Sequence, residues 1–436
     1  MAPSLKPEGY LPRIVDEQVE RYLRVFGIVE VAGTKWCGKT WTSLAHAASV
    51  SYVEEALGLA RADPTMMLVG KTPHVVDEWQ LVPAIWDAAR REVDRTGGSR
   101  GSFILTGSST SLPVKAAAGG EGPVHSGAGR VGRVRMHPMT LAESGESSGQ
   151  VSLAGLFEGR FEPCVVPRDT LGLLDVACRG GWPEVVGLTP DDAQAIAREY
   201  LRVTLEESVP RYGLDADLAR RLVGSIARNL GQAATYKTII GDMFGAEEDP
   251  LSFMSEDALR VYLNVLRALY LVEEVPGWAP PARSRKRFAA KPKRYLADPS
   301  LAVAVLGMSP ALLMADWQTF GLVFESMAMR DLTVYARALE LSDGTPVRYY
   351  RDDSGLEADA IVQLADGRWA AFEFKVSEDK VEAGVRSLVR LRSKLARSER
   401  SRTPAPAFMA VITGNGEYAR EVEKGVYVVP LRALGA

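Results

Sequence analysis

Gly33-Thr34-Lys35-Trp36-Cys37-Gly38-Lys39-Thr40 sets two glycines, a lysine and a hydroxyl at GxxxxGK[ST] spacing, directly after the apolar run 26–32. No other segment restricts the fold so strongly. An apolar strand that runs into a glycine-rich turn and then a helix is the setting in which this spacing builds a phosphate cradle. Gly33 and Gly38 let the backbone bend until its N–H groups, with those of the following helix (39–49), surround phosphate oxygens. Lys39 is expected on the β- and γ-phosphates and the Thr40 hydroxyl on Mg²⁺.

The rest of the first third agrees with such a loop. Residues 74–77 and 102–106 read as two further short strands joined by a helical connection, 78–95, which is the grammar of a parallel α/β sheet. Asp77 and Glu78 end the first of these strands. Asp77 is expected to help hold the metal, and Glu78 to orient or deprotonate an attacking water. The second strand ends in hydroxyls, with Ser108 at its tip as a candidate γ-phosphate sensor. Arg130 heads a run of cations that would offset charge in the transition state, from its own or a neighbouring subunit. Residues 116–129 read as a surface loop and 145–149 as a linker.

At 436 residues, 46% hydrophobic and 25% charged, the chain suits several globular domains. No apolar run approaches the roughly 18 residues of a membrane span, and the N-terminus lacks the apolar stretch of a secretory signal. Three scattered cysteines and four histidines argue against a disulfide framework or a zinc site, so a cytoplasmic location is expected. Net charge is −3, yet two local stripes are basic. One holds Arg283, Arg285, Lys286, Arg287, Lys291, Lys293 and Arg294. The other holds Arg386, Arg390, Arg392, Lys394, Arg397, Arg400 and Arg402. Each is either a phosphate-backbone contact or a solvated surface.

The middle third is helical, with amphipathic stretches at 191–208, 214–230 and 255–271 and an N-cap at Ser255. A strand-like exit at 270–278 makes either a winged-helix-like module or a plain helical bundle. The last third opens with a helix, 317–339. Strands at 347–351, 357–364 and 369–375 follow, then a basic helix, 381–397, and a strand, 408–413. Asp359 lies on one strand, and Glu373 and Lys375 share a face of the next. These three, with Glu325 on the preceding helix, form a candidate metal-dependent nuclease constellation. Asp359 and Glu373 would be its Mg²⁺ ligands and Lys375 would activate water. Alternating acid and lysine on an exposed strand is also an ordinary pattern.

Residues 30–40, Val76-Asp77-Glu78-Trp79-Gln80, Leu105-Thr106-Gly107-Ser108-Ser109 and 129–141 together resemble the prokaryotic AAA+-like ATPases that carry a C-terminal domain of unknown function. Gly180-Gly181-Trp182-Pro183-Glu184 and 349–375 resemble the later parts of that family. Thr34 stands where its members usually have proline, which bears on loop stiffness. The resemblance implies ATP and Mg²⁺ as ligands, an AAA+ core, DNA as partner and a homo-oligomer, with a hexameric ring as the expected form. It also implies that the C-terminal part resembles a PD-(D/E)XK nuclease fold.

The expected architecture is therefore α/β multidomain: an AAA+-like P-loop sheet (1–155), a helical, winged-helix-like middle (156–309) and a C-terminal α/β, PD-(D/E)XK-like domain (310–436). The expected activity is an ATPase acting on DNA, branched forms included, as motor or switch. The alternatives are an ATP-regulated Mg²⁺-dependent nuclease and a nucleotide-gated scaffold in a stress or defence system.

Overall fold

A computed structural model describes residues 5–109, 129–245, 249–280, 290–397 and 403–436. Residues 116–128 of the loop expected at 116–129, and the basic residues 283, 285–287, 400 and 402, lie outside the described residues.

The first sheet contains β1 (Ile28–Gly33), β2 (Ser49–Tyr52), β3 (His74–Asp77), β4 (Phe103–Gly107) and β5 (Val131–Met136), all parallel, in the order β2-β3-β4-β1-β5. Central β1 is buried along its whole length, which explains why its sequence is continuously apolar instead of alternating. Its side chains go alternately to two cores. Ile28 meets Trp86, Val93 and Phe103 on the side of helix Ala84–Arg95. Val29 and Val31 meet Val19 of helix Asp16–Val25, and Val15 just before it, on the other.

Two strands were not legible. The helix after the loop stops at Ala45 instead of reaching residue 49, because Ser49–Tyr52 pairs with His74–Asp77 as an edge strand. Its serines bond the His74 ring, a contact no local pattern reveals. The cationic run after Gly129 is itself β5, with Arg133 and Arg135 engaged by Glu30 and Glu273.

Segment 145–149, expected as a linker, is packed. The Ser148 N–H donates to the Arg432 carbonyl and the Ser147 hydroxyl to the Leu434 carbonyl. The adjoining β6 (Val151–Ser152) pairs in parallel with the last strand of the chain, Leu434–Gly435. β7 (Cys164–Val165) joins the edge of the C-terminal sheet.

In the middle, helices Ala216–Arg228, Tyr236–Phe244 and Glu256–Ala268 are each started by a capping side chain: Asp215, Thr235 and Ser255. An antiparallel hairpin of β8 (Val272–Val275) and β9 (Lys293–Leu296) follows. The helix expected over 191–208 ends at Arg202, and residues Val203–Ser208 form a π turn.

Helix Trp317–Arg337 leads into the second sheet. β10 (Arg348–Arg351), β11 (Glu357–Gln363) and β12 (Trp369–Lys375) are antiparallel. Helix Val381–Ala396 then crosses to β13 (Phe408–Thr413), parallel to β12. β14 (Tyr418–Glu423) and β15 (Val426–Pro430) extend the sheet. Mostly exposed and charged, β14 gives no apolar periodicity to read. The strand Leu434–Gly435 is β16.

One buried cluster runs from Val15 to Leu434 through all three thirds of the chain. A polar seam crosses it. Arg330 binds Asp298 and Asp331, and Asp331 accepts the Leu141 N–H at 3.0 Å. Asp298 accepts the Gly181 N–H at 3.0 Å. A Cβ at Gly181 would lie 2.2 Å from the Met139 carbonyl, which accounts for a glycine in Gly180-Gly181-Trp182.

Candidate functional site

The parallel strands bring Gly33, Asp77, Gly107 and Met136 to one edge, where open α/β sheets bind ligands. The loop at that edge is tightly determined. A Cβ at Gly33 would sit 2.2 Å from the Met136 carbonyl oxygen, and Gly38 has φ 98°. Trp36 takes φ 63°, and its ring meets the edge of Tyr200, which packs on Trp182. Lys35 Nζ donates to Ser208 Oγ at 3.2 Å, so the π turn lies against the loop. Burial, with the Arg211 guanidinium next, holds the Lys35 ammonium below its usual range.

Lys39, almost wholly buried, folds back to donate to the Thr34 carbonyl at 2.7 Å. The buried Thr34 hydroxyl has no hydrogen-bond partner among the described residues. Arg13 braces the loop from outside. Its guanidinium donates to the Cys37 and His137 carbonyls at 2.7 and 2.8 Å and pairs with Glu143 at 3.1 Å.

Because β4 lies between β1 and β3, its hydroxyls stand between the loop and the acids. Thr40 Oγ1 donates to Asp77 Oδ1 at 2.9 Å, and the Thr106 hydroxyl donates to the same oxygen. Glu78 sits in the left-handed region, φ 55°, with its N–H on Thr106 Oγ1 at 3.2 Å. A non-glycine residue held there carries strain of the kind that collects at functional sites. Its carboxylate accepts from Ser108 Oγ at 3.0 Å and from the Gln80 amide. Thr40, Asp77, Glu78 and Ser108 are thus brought together. The Thr40 hydroxyl and Asp77 carboxylate are hard oxygen donors, a set that suits Mg²⁺ retaining several waters.

A cleft of about 920 Å³ opens over this edge. Besides the loop, Glu78 and Ser108, it is lined by Tyr10, Leu11, Trp41, Trp182 and Pro183, none of which was singled out as a site residue. The two tryptophans come from positions 141 residues apart in the chain, and only folding makes them neighbours of one cleft.

Arg130 is not brought to this edge. It precedes β5, whose register sets Val131 against Ile28 and Met136 against Gly33. Arg130 therefore lies at the opposite end of the sheet, about 16–20 Å of strand away. There it binds Asp94 at 2.7 Å.

The C-terminal acids do converge, with company. Lys375 Nζ pairs with Glu373 at 2.5 Å and Asp359 at 3.7 Å. Asp359 Oδ2 also accepts the Phe374 N–H at 2.8 Å. Glu325 is reached by Lys293 Nζ at 3.2 Å and by the Tyr295 hydroxyl at 2.7 Å. Lys293 further binds Glu357 at 2.9 Å and Asp359 at 3.7 Å. Burial, then the Asp359 charge, pushes both Glu325 and Glu373 up to about 7. Asp359 and Glu373, expected as metal ligands, hold lysines instead. Among the described residues no three His, Cys, Asp or Glu side chains form a set able to hold a metal ion. Lys293 and Arg294, read as part of a basic stripe, are buried in ion pairs. Sequence reading missed Lys293 and Glu357 at this site; the i, i+2 spacing of Glu357 and Asp359 was the available signal.

Residues 171–312 match the model of a domain of unknown function, DUF8612. Residues 320–434 match another domain of unknown function, DUF4143. No curated protein matches. A Walker-type ATPase of Pyrococcus abyssi is similar in structure at 14% identity, over 70% of this chain and 98% of that one, with a TM-score of 0.42. A likeness that distant leaves the site to be read from its own geometry. No helix among the described residues is long and apolar enough to cross a membrane.

Proposed function

We propose that the protein binds and hydrolyses ATP at Gly33–Thr40 and acts on DNA. The observation that carries the first part is the convergence of Thr40, Asp77, Glu78 and Ser108 around one cleft beside a glycine-bent loop. In this reading the loop N–H groups receive the phosphates, and Lys39 exchanges the Thr34 carbonyl for β- and γ-phosphate oxygens. Thr40 and Asp77 would hold Mg²⁺, which when bound neutralises charge on those phosphates. Glu78, steadied by Ser108 and Gln80, orients the water and takes its proton. Tyr10, Trp41 and Pro183 offer the nucleotide's base an aromatic and apolar wall.

The DNA part is supported by exposed Arg386, Arg390, Lys394 and Arg397 along one helix. Arg386 pairs with Glu382 and Lys394 with Asp352, whereas Arg390 and Arg397 have no ion pair among the described residues and are the two cations offered to a phosphate backbone. The three middle helices followed by the β8–β9 hairpin are compatible with a winged-helix reading. Arg130, unused by its own subunit's site, is assigned to a neighbouring site in a homo-oligomer. Its alanine variant then keeps ATP binding and slows turnover.

The deciding experiment measures phosphate release with duplex, single-stranded and four-way DNA, with Lys39→Ala as control. Turnover that rises with DNA, and DNA binding that weakens with salt, is expected. Absence of hydrolysis in the wild type sinks the ATPase reading. Hydrolysis indifferent to every DNA form, with no binding, sinks the DNA reading alone.

A further inference from the structure

Three carboxylates from two elements meet a single ammonium above the C-terminal sheet. Glu325 comes from helix Trp317–Arg337, and Glu357 and Asp359 project from one face of β11. Lys293 arrives from β9, outside that sheet, and its side chain is 5% exposed. Its Nζ lies 2.9 Å from Glu357, 3.2 Å from Glu325 and 3.7 Å from Asp359. An ammonium carries three N–H donors; Glu357 and Glu325 lie within hydrogen-bond distance, and the Asp359 carboxylate adds its charge from 3.7 Å.

Two of these acids have further partners. The Tyr295 hydroxyl, two residues along β9, donates to the same Glu325 oxygen as Lys293. Asp359 Oδ2 is taken by the Phe374 N–H, with Lys375 beside it, and Lys375 also pairs with Glu373. The Tyr349 ring lies 5.6 Å from Nζ.

Mg²⁺ needs near-octahedral oxygens at about 2.0–2.1 Å and gives up its waters reluctantly. Here the centre that such an ion would take is filled by a monovalent cation whose backbone is fixed. Val275 pairs with Lys293, and Val272 with Leu296, so the hairpin holds in place the main chain from which the ammonium reaches the acids. Access is not what is lacking. A cleft of about 520 Å³, lined by Asn229, Gln232, Thr238 and Arg351 as well as the acids, opens onto the cluster.

We propose that Lys293 is the resident cation of the Glu325–Glu357–Asp359 cluster, and that the site as folded excludes divalent metal. These acids, two of which (Glu325 and Asp359) were expected in a nuclease centre, serve instead to fasten the β8–β9 hairpin to the C-terminal sheet. The proposal is independent of the nucleotide reading, since it concerns a different cleft and needs no nucleotide.

The test is Mn²⁺ titration of the full chain, without nucleotide, followed by the electron paramagnetic resonance of free Mn²⁺. Wild type and Asp359→Asn are expected to take up the same number of ions. Lys293→Met, which keeps an unbranched stem one atom shorter and removes the charge, is expected to gain one Mn²⁺ per chain. Adding Asp359→Asn to that variant abolishes the gain. Wild type binding one ion more than Asp359→Asn overturns the proposal. So does a Lys293→Met protein with native circular dichroism that gains none. Should Lys293→Met fail to fold, Lys293→Gln takes its place, and the comparison of wild type with Asp359→Asn still tests the exclusion of metal.

Discussion

The Thr40 hydroxyl donates to Asp77 Oδ1 at 2.9 Å across 37 residues of chain. This one bond ties the end of the glycine-bent loop to the end of β3, and it is possible only because β4 lies between β1 and β3. Thr106, at the tip of β4, bonds the same carboxylate and stops it from rotating. The pair is thus held as a rigid edge before any nucleotide arrives.

Glu78→Gln keeps the shape and the Ser108 contact but removes the base. Nucleotide affinity should be retained while turnover falls by about a hundredfold or more, the usual worth of a positioned general base. Lys39→Ala should lose both. Fluorescent-nucleotide titration beside phosphate release separates the two outcomes. Equal loss of binding in both variants would remove Glu78 from the chemistry.

Trp36 and Trp41 line the cleft and are 43% and 48% exposed. ATP is expected to change the tryptophan emission, and Trp41→Phe to shrink that change. An unaltered signal in Trp41→Phe would place the base elsewhere.

Arg13 and Glu143 are each only 3% exposed, and the Arg13 guanidinium also serves two carbonyls. Arg13→Ala leaves the buried Glu143 carboxylate with no cation, held only by the Ile14 and Thr140 N–H groups and the Thr140 hydroxyl, and should cost about 3–5 kcal/mol in urea unfolding. Arg13→Lys should recover little, since an ammonium cannot reproduce the planar fork. A midpoint unchanged in Arg13→Ala would show that the loop holds without this brace.

Glu325 and Glu373 hold their protons up to about 7, against an ordinary 4.5, chiefly because they are buried. The folded state therefore binds more protons than the unfolded chain between those values. The resulting stabilisation is complete below about 4.5 and is lost as pH rises through about 7. Urea midpoints should fall across that window, and the double variant Glu325→Gln/Glu373→Gln should flatten the slope. A slope identical in the double variant would assign it to other groups.

A methyl at Gly33 would come within 2.2 Å of the Met136 carbonyl on the neighbouring strand. Gly33→Ala should lower the melting temperature as well as nucleotide binding. Loss of binding at unchanged melting temperature would mean that the loop, and not the sheet, absorbs the clash.

The sequence by itself determined whatever depends on neighbours in the chain. The loop at 33–40, the β3 strand ending at Asp77 and the cap at Ser255 are local, and periodicity or backbone chemistry writes them into a few residues. The shared faces of Glu373 with Lys375 followed from strand alternation in the same way. What tertiary structure alone decided is where the charges go. Arg130 and Lys293 are both cations in basic runs. Sheet register sends one to the far end of the parallel sheet, while the hairpin drives the other into three carboxylates. A charge's role is set by what surrounds it at a few ångströms, and those partners come from segments tens of residues away. So the chain announced its glycine-bent loop, and only folding showed that its second acidic centre already holds a cation of its own.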